Sequence, residues 1–497
     1  MKKAFWSILA VFFICTGLYG KEKKSASDKN INVLQGYATM QMDMVSFDDT
    51  VYEAVLGMNH TDLSKGTSIF INKYTGNKYH STLQIDVEGF NNYEFKEKFS
   101  HYDFLKLYAL GPNEIVLTLY SAFSDNRFAF FRIKDDKVVA YKSYSLKKQR
   151  AYETQFYAFD GKDTVYIAFN GQIDFQKSGW DLFLISFDLN GNLKNSVKVY
   201  TNKNDELVGL AAFEDNVYLT IRNSFEKQAV VLLDSGLNYK KIWACKYEGC
   251  GIRYIDLKSS TETAANDTNG PDTKGTFLVD MIMENPDKNK NLNYLSRFTS
   301  DGEFICSYII EESTADNSFN YCKEKITCEG ILFFGHRTKY DPSDWKSKEV
   351  SFTSYFMDWD GNKLYEKNYR QHGDLNFKKY AVINGKYFCC GENYYESTGI
   401  SHIAYTYLID VEPKNTDFIR IEKSSYNPLA SPEEPELAEK YIKEMKFWSN
   451  TVKVEPIEIP LWDFGYSIKR IRLSFRHVNP SSKSITESIP LFEFSER

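Results

Sequence analysis

The chain is poor in the residues that carry most enzyme chemistry. It has only seven histidines in 497 residues, and they are scattered. No G-x-S-x-G, H-E-x-x-H, P-loop or G-x-G-x-x-G pattern occurs. That removes the hydrolase nucleophile elbow, the zincin helix and the common nucleotide cradles. A basic excess is also missing. Lys+Arg 61 against Asp+Glu 67 leave a net charge of -6, whereas binding through phosphates wants the opposite sign. No nucleic-acid partner is expected. The cysteines form no C-x-x-C pair, and no histidine follows them at zinc-finger spacing. No cofactor is expected. After residue 20 no apolar run is long enough to span a bilayer.

What is present starts at the N-terminus. Lys2 and Lys3 precede "AFWSILAVFFICTGLYG", an apolar run of signal-peptide length ending in small residues. Residues 1–20 are expected to be removed, with cleavage after Gly20 or, alternatively, Gly17. Cys15 follows "FFI" and resembles a lipidation site, although Ile14 is not the small residue such signals want. The alternative is one more apolar residue of the signal. The expectation is an exported protein of the periplasm or cell surface, meeting the membrane only through such an anchor. Seven cysteines follow Cys15. Cys245 in "WACKY" and Cys306 in "FICSY" hold matching places and read as small buried residues in strands. Disulfides Cys245–Cys250 or Cys322–Cys328 are the alternative. Adjacent Cys389 and Cys390 point to opposite faces of a strand.

Residues 21–39 read as a flexible tether. A phrase then repeats. Its first half is a short strand, as in "DTVYEAVLG" (49–57), "NEIVLTLYS" (113–121), "DTVYIAFNG" (163–171) and "DNVYLTIRN" (215–223). "GTFLVDMIM" (275–283), "EGILFFGHR" (329–337) and "GKYFCCGEN" (385–393) continue it. Its second half is a hairpin, at 68–85, 128–144, 182–200, 229–247, 293–310, 353–369 and 404–421. The third copy, "LFLISFDLNGNLKNSVKVY", is the clearest. Its Leu182, Phe183, Leu184 and Ile185 leave no polar face, so the strand must be covered on both sides. Its partner "NSVKVY" is more polar, as suits an outer edge. Seven β-rich units of about 45–65 residues, none with a convincing helix, predict a β-propeller over 40–423. A two-sheet sandwich would alternate more cleanly.

The units resemble bacterial seven-bladed propellers of the SBBP type. That repeat has a "D-x-VY-x-x-G" strand, then an "F-x-x-x-x-D-x-x-G-x-x" hairpin, often with an aromatic after it. "DTVYIAFNG" with "DLFLISFDLNGNLKNSVKVY" is the nearest copy, and Trp243 fits the aromatic place. The likeness covers about 43–421. Two units lack the turn glycine, having Asp135-Asp136 and Glu412-Pro413. The resemblance implies a fold and an interaction role, and it supplies no catalytic residues.

Other features depart from the repeat. "SSTETAANDTNGPDTKG" (259–275) reads as an excursion that contacts a partner or as a tolerated insertion. In 424–497, Ser431, Pro432 and the acidic start at Glu433 mark one helix, with Leu437, Tyr441, Met445 and Trp448 on one stripe. A β segment follows, read as appendage, ring closure or eighth blade. In "SIKRIRLSFRH" a strand places Arg470, Arg472 and Arg476 on one face, suited to an anion. Pairing with Glu433, Glu434 and Glu436 is the alternative. Asp358-Trp359-Asp360-Gly361-Asn362 resembles part of a calcium loop. It lacks the bidentate acid, since Lys367 stands there. Asp358 and Asp360 are the only metal candidates, against a plain turn. His336 and His402 follow blade strands and read either as facing a common axis or as ordinary surface or core histidines. The sequence thus predicts a non-catalytic platform binding a protein or glycan through loops at one end of the ring. The alternatives are an envelope assembly subunit, or an enzyme cleaving polysaccharide or peptide at the axis. Abundant Phe and Tyr (37 and 35) fit an aromatic surface and equally an AT-rich genome, so composition does not identify carbohydrate. Oligomeric state is not addressed by any of these features.

Overall fold

The computed structural model describes residues 31–463, apart from connections at 33–36, 60–66, 76–77, 88–104, 122–126, 147–149, 173–180, 201–204, 214, 224–226, 245–251, 260–275, 286–289, 300–301, 313–316, 327–329, 342–343, 371–375, 384–385, 396–399, 410–413, 416–418, 428, 430–445, 450–453 and 457–460. In some strands it describes the backbone alone. All regular structure among the described residues is β.

The strands form seven antiparallel sheets. Six of them take four successive strands each, at 37–87, 105–146, 150–200, 205–244, 252–312 and 317–370. We call these sheets one to six. Sheet seven takes three strands from 376–409 and its fourth from Ile31–Asn32, which pairs with Ile400–Ile409. In every sheet the first strand slips register against the second, by one residue at, for example, Gln41/Asp43, Leu207/Gly209 and Tyr321/Lys323, and by two between Ala151 and Gln155 of sheet three. Such bulges add twist, which an inner propeller strand needs.

The sheets stack in chain order, because the central strands are apolar on both faces. Leu182, Phe183, Leu184 and Ile185 are all buried, as the run without a polar face requires. Ile71 and Leu83 of sheet one meet Leu117 and Phe131 of sheet two. Phe128 and Phe130 of sheet two meet Phe183 and Phe187 of sheet three. Leu184 and Val197 then meet Leu219 and Val231 of sheet four. Trp243 meets Phe298 of sheet five, and Tyr308 meets Tyr355 of sheet six. Each such side chain contributes roughly 1.5–3 kcal/mol on burial.

This is a β-propeller. Five interfaces of described side chains join six blades. Sheet seven has its first strand, Asn376–Ile383, beside both sheet six and sheet one, but its side chains lie outside the described residues. The expected count of seven therefore meets six blades joined by described packing.

Four readings of the chain differ from the structure. The first strand of each sheet was not anticipated. The seventh hairpin, 404–421, does not form: Ile419–Ser424 pairs instead with Phe304–Glu312 of sheet five. This is the unit with Glu412-Pro413 in place of a turn glycine. Trp448, placed on a helical stripe, lies in the strand Lys446–Ser449, while 430–445 lie outside the described residues. Ile31–Asn32, within the expected tether, is a strand.

The chain after sheet seven runs backwards round the outside of the ring. Lys414–Asn415 joins sheet six and Ile419–Ser424 joins sheet five. Lys446–Ser449 joins sheet three, Val454–Pro456 sheet two and Leu461–Asp463 sheet one. Each adds antiparallel to an outer strand. The belt is anchored at Ile419, where the buried Glu366 carboxylate accepts the backbone N–H at 3.0 Å and Lys363 Nζ donates to the backbone oxygen at 2.8 Å.

Candidate functional site

Alternation of antiparallel strands puts the connections at two ends. At one, the turn end, the chain reverses between strands one and two and between three and four. At the other, the loop end, it passes between strands two and three and on to the next sheet.

The turn end holds the Asp-x-x-Gly-Asn hairpins, so the metal candidate belongs here. The Asp188 Oδ1 accepts the N–H groups of Asn190 and Asn192, both at 2.8 Å, and the Asn192 side chain donates to Oδ2 at 2.8 Å. Gly191 sits at φ 78°, open to residues without a Cβ clash. Asp358 repeats the arrangement, accepting from Asp360 N–H at 3.0 Å, Asn362 N–H at 2.7 Å and the Asn362 side chain at 2.9 Å. Burial pushes the Asp358 carboxyl up, but these donors outweigh it and hold the group below its usual range. Asp234 does the same with Asn238, and there the positive φ of 65° falls on buried Leu237, not on Gly236. In the blade without glycine, Asp135 and Asp136 both take positive φ, as a two-residue reversal requires.

These carboxylates are occupied by the turns they make. The Asp360 carboxylate meets Lys423 Nζ of the belt at 3.3 Å, a cation already in place. Among the described residues no three acidic, His or Cys side chains converge as a metal would need.

The turns also bind blade to blade. Tyr144 of sheet two donates to the Gly191 carbonyl at 2.6 Å, and Tyr308 of sheet five to the Trp359 carbonyl at 2.8 Å. A Cβ on Gly302 would come within 1.9 Å of the Trp243 ring of sheet four. The guanidinium of Arg297 stacks 4.1 Å from the Trp359 ring. The aromatic that follows the hairpin thus lies under the turn of the next blade. The "VY" tyrosine acts alike: Tyr52 donates to the Pro112 carbonyl of the next sheet at 2.7 Å. Burial, then Asp136 and Asp135, push its hydroxyl pKa far up, so it stays a donor.

The loop end carries charge closer to the axis. Asp43, in the first strand of sheet one, accepts the Leu107 N–H of sheet two at 2.9 Å and pairs with Lys106 at 3.3 Å. Glu206 and Arg222 of sheet four form a close pair at the mouth of the first two strands. Asp181 is fully buried. Lys198 Nζ lies 2.8 Å from its Oδ2, with both side chains buried, yet neither carboxylate oxygen gains an aligned hydrogen bond. Burial raises the Asp181 pKa and Lys198 only partly offsets it. No sequence pattern announced this pair, because Asp181 and Lys198 stand on two different strands of the hairpin.

Of the predicted sites, Arg470, Arg472, Arg476 and Cys15 lie outside the described residues. His336 and His402 lie in strands of different sheets, with side chains outside the described residues. Cys306 is buried and free, as the reading of "FICSY" expected. The insertion after Ser259 leaves from the turn end, opposite the other long connections.

No family model matches the chain, and no curated protein matches it. Solved structures do. Pyrococcus horikoshii acylaminoacyl peptidase is 12% identical, with 77% of this chain and 53% of that chain covered and a TM-score of 0.42. Polysaccharide lyase Uly1 is 11% identical, covering 79% and 94%, with a TM-score of 0.41. A puromycin hydrolase is 9% identical, covering 76% and 54%, with a TM-score of 0.40. The chain spans about half the length of the first and third. Likeness at this level carries no activity to this chain.

Proposed function

We propose that the chain is an exported, non-catalytic binding platform of the bacterial cell envelope, recognising a protein or glycan through the loop end of its propeller. One observation carries this reading. The described carboxylates of the turn end are engaged in turn and blade contacts, while, the 260–275 insertion apart, the longest connections, 88–104, 173–180, 60–66 and 245–251, all leave from the loop end. A closed ring is a rigid base on which such connections set specificity. Sheet seven, lying between sheets six and one with an N-terminal closing strand, supports a seven-bladed ring of the SBBP type. Export rests on the N-terminal apolar run, and lipidation would rest on Cys15.

The test is binding to a glycan array and to envelope proteins, using the full chain and a variant whose 88–104 and 173–180 are replaced by Gly-Ser stretches of equal length. The same partner should be retained by the parent and lost by the variant. Equal binding by both would move the site elsewhere. Turnover of a bound polysaccharide or peptide would replace this reading with the enzymatic one.

A further inference from the structure

We propose that the turn end of the ring lies against an anionic lipid surface, with the loop end turned away from it. The proposal rests on the export inferred above and adds a partner for the opposite end. Among the described residues, the large apolar side chains left exposed are Val139, Leu193, Tyr239, Ile305 and Leu364. Single exposed apolar residues are ordinary on a protein surface, but these share one place. Each comes two or three residues after the positive-φ residue of its own hairpin, which is Asp136, Gly191, Leu237, Gly302 or Gly361. Each therefore stands where an outer strand begins, at the turn end, in sheets two to six. Val139 and Leu364 are exposed at 55% and 59%. Where the belt is described it pairs further along these strands, from Tyr144 in sheet two, Val197 in sheet three, Ser307 in sheet five and Lys367 in sheet six. An apolar rim that recurs at one end marks an interaction surface.

The direction of the chain at its two described ends points to the occupant. Ile31 pairs with Tyr407 and Asn32 with Thr406, and Tyr407 is the nearer of the two to the turn at 384–385. The chain thus enters sheet seven from the turn end. Leu461 pairs with Val87 and Asp463 with Ile85, on an outer strand that begins at Lys78. The chain thus leaves sheet one, the neighbour of sheet seven, heading for the turn end too. Before Ile31 stand the apolar run 4–20 and then Lys21, Lys23, Lys24 and Lys29. Residues 21–30 reach at most roughly 35 Å, so an N-terminus held in a bilayer keeps sheet seven close to it. After Asp463 come Lys469, Arg470, Arg472 and Arg476, with no acid between Phe464 and Arg476. The whole chain carries -6, yet both stretches that join the ring from this end are basic. Anionic headgroups attract such stretches, and arginine binds their phosphates through paired hydrogen bonds. Apolar side chains beside them enter the headgroup boundary. The anion expected for the arginine row is then a lipid headgroup.

The test is co-sedimentation of the chain from Lys21 onward with vesicles of phosphatidylethanolamine and phosphatidylglycerol. The chain should bind these vesicles at least about tenfold more tightly than vesicles of phosphatidylcholine alone. Millimolar inorganic phosphate should not release it. Val139→Ser, Leu193→Ser, Ile305→Ser and Leu364→Ser together should weaken vesicle binding at least about tenfold. Should that variant fail to fold, Leu364→Ser alone should weaken it about threefold. The variant with Gly-Ser at 88–104 and 173–180 should bind vesicles as the parent does, which separates this result from partner binding at the loop end. No vesicle binding by the parent, or equal binding to phosphatidylcholine, would overturn the proposal. So would binding untouched by the serine substitutions, binding lost in the loop-end variant, or release by inorganic phosphate. A parent dimer that the serine variant dissolves would also overturn it, since the occupant would then be a second copy.

Discussion

At the turn end the chain reverses within a few residues; the hairpin turns hydrogen-bond to themselves, and those at Asp136, Gly191 and Trp359 also to the blade before. At the loop end the same strands are joined by stretches as long as 88–104, and charge lies close to the axis. The difference teaches where sequence freedom resides. A turn glycine here meets three demands at once: positive φ, a hairpin bond and room for a neighbour's aromatic ring.

The contrast is broken most directly at Gly302. At φ 82° with Trp243 1.9 Å from a Cβ position, Gly302→Val should cost more than about 3 kcal/mol, or prevent folding. Gly111→Ala, with nothing within 4 Å of its Cβ position, should change the urea midpoint by no more than about 0.5 kcal/mol equivalent. Equal effects would erase the distinction drawn for the turns.

The buried pair at the loop end comes next. Asp181→Ala should destabilise by roughly 3 kcal/mol, because it strands a buried charge. Asp181→Leu combined with Lys198→Met should recover most of that loss in thermal unfolding. A double variant as weak as the single would show that the pair does more than fill space.

A smaller effect sharpens the turn end. Asp358→Ala should cost about 1 kcal/mol by removing the acceptor of its own turn. The folded Asp358 carboxyl lies below its usual range, so it contributes stability above the unfolded pKa of about 3.9 and loses it as pH falls through the folded value. In Asp358→Asn the acid limb of stability should therefore be flatter. Millimolar calcium should leave the melting temperature of the parent unchanged, and a rise would restore the metal reading.

The smallest effect is expected in a loop-end connection. Replacing 173–180 by Gly-Ser of equal length should move stability by no more than about 1 kcal/mol, while binding at the loop end is lost. A large loss of stability would show that the connection is packed as part of the blade.

The second strands and hairpins of the blades were legible because runs such as "LFLISF" are apolar on both sides and end in Asp, Asn and Gly. The first strands were not. Each carries a bulge, so "DELVGLAAF" changes face at Leu207/Gly209 and no single period describes it. The candidate metal turn was legible as a turn, since its side chains vary while the reversal persists. The Asp181–Lys198 pair was not, because the two residues meet only when strands 181–188 and 193–200 come together.

By itself the sequence determined the β class, the repeat and the turn positions, because these rest on local periodicity and on backbone angles that few residues accept. Only the tertiary structure decided that an aromatic of one blade lies under the turn of the next. Only it decided that the chain after 410 returns along the outside of the ring. Strands of two to six residues, such as Lys414–Asn415 and Val454–Pro456, have no signal of their own. What selects them is the unpaired edge of a sheet formed earlier in the chain.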